Sequence, residues 1–498
     1  MTSQPEAQPE QSPATPADPG AMTGAPAGGI PPDAPPDTFP SLAHNRSAPM
    51  PAWFYSMLPN KVGIGSSINL PPIFLTEVLG GNVATVGIAS ALTSAATVPA
   101  ATLWGWLSDR YGTRRTYLML GYLGFALPTL LTAFTTSVWQ YLLLVAILGA
   151  WSVAGTPVAS TLIMDTVPRS DWDETFGRFN AISGWGIVLG RLVGLLCIAY
   201  GIGIFGNVPT QRGLWIISGT LSLVSVIWAW RVVPQPRMPK PRRVHPHNPE
   251  LIAGGQLPPL GRFGATMRGL RHLPPNSTRR FVTGTLPRIP GALVHKSRQG
   301  LRNPLIAYYF TTFVMFTMSV MAYTPFAVWQ RQVLGNSTAT VFLVGMVNSI
   351  ASALSYRWVG RLIKRYGSMR VQMVTNSARI ITFGGFAVIG WMGITGTRSL
   401  VLLLLLNAIS GLGWAGIAVA GNTTVAHLAP RGSEGAAVGT YTSFVSVGSI
   451  LGAFISGYLV LLTNFEIVFA LGASGVALTV WFLYRIRASA SPEAREHL

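Results

Sequence analysis

Long stretches without one charged residue recur along this chain: none stands between Gln140 and Asp165, and none between Arg398 and His427. A run of about 20 apolar residues can cross the roughly 30 Å hydrocarbon layer as a helix rising about 1.5 Å per residue. A large water-soluble globule is excluded on the same ground, because 49% of the 498 residues are hydrophobic and only 10% are charged. The expected solvent is the lipid bilayer.

Spanning helices are expected near residues 52–78, 84–106, 115–136, 139–164, 176–200 and 212–232. A second set is expected near 303–332, 339–362, 370–393, 399–427, 434–461 and 464–485. Between the sets, residues 233–302 break the pattern with Pro and Arg, and Glu250 alone offsets the fourteen Lys and Arg from Arg231 to Arg302. Residues 1–50 are dense in Pro, Ala, Gly and acids, with Arg46 their one base, and bury too little apolar surface to fold. Five regions follow: a disordered Pro-rich tail (1–50), a six-helix bundle (51–232), a basic linker (233–302), a second six-helix bundle (303–486) and a short tail (487–498).

The formal charge of +19 does not point to nucleic acid, because the bases lie in short loops between apolar runs and not on a soluble face. Lys and Arg resist translocation, so their distribution sets the sides. Arg212, Arg331 and Arg398 fall on one side and Lys61, Arg191 and Arg379 within helices; all other bases of the 35 share the side of Asp109, which is therefore expected to be cytoplasmic. Both termini then lie in the cytoplasm of a multi-pass protein of the cell membrane. Without an apolar core and basic flank in the first 50 residues, no cleavable secretory signal is expected.

The hairpin after the second span reads Gly105-Trp106-Leu107-Ser108-Asp109-Arg110-Tyr111-Gly112-Thr113-Arg114-Arg115, and it returns in altered form as Gly360-Arg361-Leu362-Ile363-Lys364-Arg365-Tyr366-Gly367-Ser368-Met369-Arg370. A second internal match supports duplication: Gly149, Pro168, Arg169 and Gly177 correspond at one constant offset to Gly411, Pro430, Arg431 and Gly439. The hairpin resembles the signature that follows the second helix of each half in the major facilitator superfamily of secondary transporters. That resemblance covers roughly residues 52–486. It implies an all-α membrane protein of twelve transmembrane helices, in two six-helix bundles related by a pseudo-twofold axis around a central cavity near the midplane.

In that superfamily the loop after helix 2 forms the cytoplasmic gate, its acid meeting basic groups and the positive end of helix 11. By resemblance Asp109 is the gate acid, Arg110, Arg114 and Arg115 its neighbouring bases, and Gly105 and Gly112 the residues that allow close approach and a tight turn. The alternative is that these charges only anchor the loop at the headgroups. Lys364 stands in the second copy where Asp109 stands in the first, so gating across the halves is not symmetric.

Helices 1, 4, 7 and 10 line the cavity in the superfamily. Asn407, Trp414 and Asn422 lie on one polar stripe of the tenth span, and Ser152 and Thr156 on a smaller one of the fourth. Lys61 and Asn69 share a narrow face of the first span. Helix packing by small and amide residues is the competing reading, and for Lys61 snorkelling to the interface. Arg191 is deeper in the fifth span, where an uncompensated cation costs at least about 2.5–3.5 kcal/mol unless it meets water or a partner. Arg379, on a helix that is peripheral in this fold, is expected to make a packing or headgroup contact together with Asn376.

Drug-proton antiporters of the superfamily carry Gly-Pro near the middle of helix 5. Here Gly186-Ile187-Val188-Leu189-Gly190-Arg191 keeps the glycines without the proline, and Val145 stands where many antiporters place an arginine in helix 4. Glu77, Asp109, Asp165 and Glu466 all fall near helix ends, so no central proton carrier is visible, although a coupling proton remains compatible. The lone Cys197 forms no intrachain disulfide, the histidines lack ligand spacing, and no phosphate-binding loop is present. Neither metal, cofactor nor catalytic site is expected.

The expected function is secondary transport by a monomer of a small polar or amphiphilic solute through alternating access. The two deep cations favour an organic anion. Efflux of drug-like compounds by proton antiport is the alternative within the class. A non-transporting receptor, lipid binder or scaffold on the same fold is the alternative outside it.

Overall fold

In the computed structural model, which describes residues 52–111, 113–155, 158–159, 172–233, 303–429 and 434–489, every long element is an α-helix. Seven belong to the first half: α1 (Leu58–Ser67), α2 (Leu70–Glu77), α3 (Val83–Tyr111), α4 (Arg114–Thr132), α5 (Val138–Ser152), α6 (Trp172–Phe205) and α7 (Asn207–Val232). Seven follow in the second: α8 (Pro304–Tyr323), α9 (Phe326–Gln332), α10 (Thr338–Tyr366), α11 (Ser368–Trp391), α12 (Gly396–Leu428), α13 (Glu434–Leu462) and α14 (Phe465–Ser489). Among the described residues nine helical stretches are long and apolar enough to cross a membrane, and Val138–Ser152 is a shorter apolar helix. The expected tail 1–50, linker 233–302 and the end of the last tail lie outside the described residues, apart from Val233.

Two of the spanning rods are broken, and the sequence explains where. Pro71 and Pro72 lack the N–H groups that would bond back to the preceding turn, so α1 ends and α2 begins there, while Ile68 and Asn69 keep right-handed helical dihedrals and the rod bends without reversing. Pro325 does the same between α8 and α9, where Thr324 and Pro325 remain in the right-handed region. The carbonyl of Met321, four residues before Pro325, accepts a 2.8 Å hydrogen bond from the Ser456 hydroxyl of α13. An unmet carbonyl in lipid is costly, and a neighbouring helix here supplies the donor. Ser456→Ala is expected to cost about 0.6–1.7 kcal/mol, read as a lowered melting midpoint of the detergent-solubilised protein.

Counting each broken rod once, the described helices make twelve rods, and the same packing scheme recurs in both sets of six. In the first half α1 packs on α6, α3 on α5 and α4 on α7; in the second α8 packs on α13, α10 on α12 and α11 on α14. Buried polar groups are joined across these faces. Asn60 of α1 donates to Ser222 of α7 at 2.6 Å, and Ser222 donates on to the Tyr122 carbonyl of α4 at 2.9 Å. The second half is tied by an aromatic core in which Phe326 stacks on Phe386 at 4.4 Å and Trp329 meets Phe469 edge-on at 5.0 Å.

The halves meet through α3 against α13 and α6 against α10. Their backbones approach closely at the end poor in Lys and Arg. A Cβ on Gly457 of α13 would sit 2.5 Å from the Ala84 Cα of α3, and one on Gly87 would sit 2.6 Å from the Ala453 carbonyl. At the base-rich end, Gly367 turns the chain from α10 into α11 with φ +87°, a conformation that glycine adopts without strain. Gly112, its counterpart in the first hairpin, lies outside the described residues.

Candidate functional site

The two helix breaks face one another across the seam between the halves and enclose a cavity of about 210 Å³. Ile68, Asn69 and Pro72 come from the first break and Tyr323, Thr324 and Phe326 from the second; α9 adds Ala327 and Gln330, α10 Val341, Gly345 and Asn348, α12 Asn407, and α6 Arg191. Unwound or bent helices at such a place leave polar groups for a solute to use.

Arg191 and Asn69 converge on Gly345. A Cβ there would meet the Asn69 amide and stand 2.9 Å from Arg191 Nη1. The Asn69 amide reaches the Val341 carbonyl at 3.4 Å, a link from the first half to the second. Arg191 Nε and Nη1 are buried without a hydrogen-bond partner, and so are both amide atoms of Gln330, whose side chain is fully buried. Asn348 and Asn407 differ from these two. Asn348 donates to the Asn407 carbonyl at 3.2 Å, and the Asn407 amide donates to Leu403 of its own helix at 2.9 Å.

Behind the cavity, Arg379 is 3% exposed. Its guanidinium carbon lies 5.3 Å from the Trp414 ring centroid and 5.9 Å from that of Tyr323, whose hydroxyl is hydrogen-bonded to Ser410. It therefore packs inside the second half and makes no headgroup contact. Aromatic faces attract a cation through their quadrupole, and two of them hold this one against the cavity wall.

The remaining sequence-derived candidates are dispersed. Trp414 is partly exposed beside Arg379, and Asn422 is exposed with its amide bonded to Ala418. Ser152 is half-buried, and Lys61 is half-buried on α1, its Cβ close to Gly186. Neither Ser152 nor Lys61 lines the 210 Å³ cavity. Thr156 lies outside the described residues. At the hairpin, Gly105, Asp109 and Arg110 are described only as helical backbone of α3. Arg114 donates to Ser108 at 2.9 Å, and Arg115 stands 5.9 Å from the Trp230 ring of the same half.

Sequence reasoning missed Gln330, Tyr323 and Asn348 in the cavity and the clasp at the base-poor end. There Glu77 of α2 accepts from Arg331 of α9 at 2.5 Å, and from Asn207 and Gln211 of α7 at 3.0 and 3.3 Å. The only visible signals were the Thr324-Pro325 break and two lone charges, Glu77 and Arg331, at the ends of equivalent rods. A larger crevice of about 850 Å³ runs between α10, α11 and α12. Its walls are the exposed apolar side chains of Leu354, Trp358, Val374 and Leu412, which suits a bilayer-facing surface better than a solute site.

Among the described residues, two sets of six rods packed around a cavity at paired helix breaks define a multi-pass membrane transporter fold and not an enzyme. The chain belongs to the Major Facilitator Superfamily, whose family model matches residues 62–401. It is 33% identical over 135 residues to the class H tetracycline resistance protein of Pasteurella multocida, covering 27% of this chain and 33% of that protein. It is 23% identical over 294 residues to the multidrug resistance protein MdtG of Salmonella arizonae, covering 58% of this chain and 59% of that one. The chain thus spans only a third to three fifths of the length of these curated relatives. A crystal structure of a variant of the nucleoside transporter NupG superposes with a TM-score of 0.65 at 14% identity, covering 87% of this chain and 98% of that one. At that identity the likeness speaks for the fold alone.

Proposed function

We propose that the chain is a secondary transporter that carries a small polar or amphiphilic solute by alternating access, as a monomer in the cell membrane. The observation that carries this reading is the cavity at the two helix breaks, where polar side chains from both halves stand unpartnered while the seam beyond them is closed. The excess of Lys and Arg at the Asp109 end supports a cytoplasmic assignment for that end and for both termini. On that assignment the Glu77–Arg331 clasp and the Gly87–Gly457 seam close the exterior end. The first hairpin, with Asp109, Arg110, Arg114 and Arg115, is the inner gate that forms when the halves rock the other way.

A second reading, efflux of drug-like compounds coupled to protons, is favoured by the resistance proteins among the relatives. Against it stand the missing helix 5 proline, Val145 in helix 4, and a cavity below the roughly 300–1,000 Å³ of drug-sized sites.

Counterflow of a labelled solute into liposomes holding the purified protein tests transport itself, and no flux across a broad panel would turn the assignment to a receptor or scaffold. A pH jump in the lumen on adding the solute reports proton coupling. Gly345→Val is expected to depress counterflow at least about tenfold without unfolding the protein, because the added methyls displace Asn69 and Arg191. Wild-type flux in that variant would move the solute path elsewhere.

A further inference from the structure

The unmet hydrogen-bonding groups in the cavity specify more than a solute. We infer that the cavity binds a compact organic monocarboxylate bearing a second group that both donates and accepts a hydrogen bond, a hydroxyl or an amide. This rests on the transporter reading only for the passage of the ligand and not for its binding.

Arg191 is the one charged side chain lining the cavity among the described residues. Two of its nitrogens are buried and unpartnered. Among the described side chains, the carboxylates of the surrounding elements do not reach it. Glu77 is engaged with Arg331, Asn207 and Gln211; Glu466 accepts from the Trp329 indole at 3.3 Å; neither lines the cavity. A planar fork of donors without an acid in the protein is a receptor for a carboxylate from outside it. Lys61 does not line the cavity and Arg379 lies behind Tyr323, so one positive charge faces the ligand and a dianion would leave charge unbalanced in a medium of low dielectric.

Gln330 sets the second requirement. Its carbonyl oxygen and its amide nitrogen are both unpartnered in a fully buried side chain, so the partner must offer a donor and an acceptor together. Ile68, Pro72 and Phe326 supply apolar lining. A volume of about 210 Å³ restricts the ligand to a small molecule and excludes drug-sized ones in this conformation.

Binding to the full chain in detergent is measured by calorimetry for 2-, 3- and 4-hydroxybutanoate, butanoate, succinate, butane-1,4-diol and 4-aminobutan-1-ol. At least one hydroxybutanoate is expected to bind about tenfold or more tighter than butanoate, succinate more weakly, and the diol and the amine not at all. Arg191→Gln is expected to weaken the hydroxybutanoate at least about a hundredfold. Gln330→Leu is expected to equalise hydroxybutanoate and butanoate, a change that general loss of folding does not produce. Size-exclusion profile and melting midpoint establish that each variant is folded, and Arg191→Lys keeps the charge if Arg191→Gln does not fold. Preference for the amine or diol, equal affinity for butanoate in the wild type, or no binding by any hydroxybutanoate overturns the inference. Binding that depends on Arg191 without counterflow leaves the site standing and removes the transporter reading; counterflow of a cation or neutral solute indifferent to Arg191 does the reverse.

Discussion

Cutting the clasp at the base-poor end is expected to open it: Glu77→Ala should raise, about tenfold, the rate at which an impermeant thiol reagent reaches a cysteine placed at Ala327 in a Cys197→Ala background. Ala327 lines the cavity, and Cys197 is the one native cysteine. Glu77 ties α2 to α9 across the seam through Arg331, and to α7 through Asn207 and Gln211. Hydrogen bonds to a charged group contribute about 1.5–3 kcal/mol when sheltered and exposed pairs about 0–1 kcal/mol. With side chains 26% and 21% exposed, this pair falls between the two ranges. About 1.4 kcal/mol is a factor of ten in the balance between closed and open states. Arg331 retains the Asn336 carbonyl after the change, so the helix itself is not expected to unravel. The double exchange Glu77→Arg with Arg331→Glu restores slow labelling if the pair acts as a clasp. Labelling unchanged by Glu77→Ala would mean that packing alone holds this end shut.

The larger effect is expected at the seam. Gly457→Val places side-chain carbons where the backbone of α3 already stands, since even a Cβ would lie 2.5 Å from Ala84 Cα and 2.6 Å from the Val83 carbonyl. No flexible side chain is there to yield, so the strain, about 1–3 kcal/mol or more, falls on the closed arrangement of the halves. Counterflow is expected to fall about ten- to a hundredfold, with labelling at position 327 rising in parallel. Gly439→Val on the same helix is the control, because a Cβ there meets nothing within 4 Å and flux should be preserved. Equal loss in both variants would point to a folding defect of α13 and not to the seam.

Much of the architecture was legible because hydrophobic runs and helices coincide where the chain crosses lipid. The expected span 370–393 is found as Ser368–Trp391, and 434–461 as Glu434–Leu462. Several helices overrun the expected spans at their ends, as α10 does by continuing to Tyr366 through Arg361, Lys364 and Arg365. Apolarity marks where the bilayer is, whereas the backbone ladder runs on into the polar interface until Gly367 turns it. The breaks were half legible: the prolines were visible, but not that the gaps at Asn69 and Thr324 would face each other.

The site was less legible for a physical reason. A side chain's role in a membrane interior depends on which partner it finds, and partners lie far apart in sequence. Arg191 stands out in the sequence because a lone cation at that depth needs an explanation, and Asn69 because it shares a narrow helix face with Lys61. Asn407 looked equally promising, yet its amide bonds one turn back along its own helix. Gln330 carries no signal in the sequence beyond standing near the end of an expected span, yet it is fully buried on α9.

If the cavity takes a monoanion and faces the sides proposed above, the unpaired guanidinium of Arg191 also makes the carrier responsive to voltage. An elementary charge moved through the whole field gains or loses about 2.3 kcal/mol per 100 mV. Loaded with a monoanion the cavity is neutral, and its reorientation is indifferent to the potential; empty, it presents a bare positive charge. A negative interior therefore biases the unloaded cavity towards the cytoplasm, and the return stroke becomes the electrogenic part of the cycle.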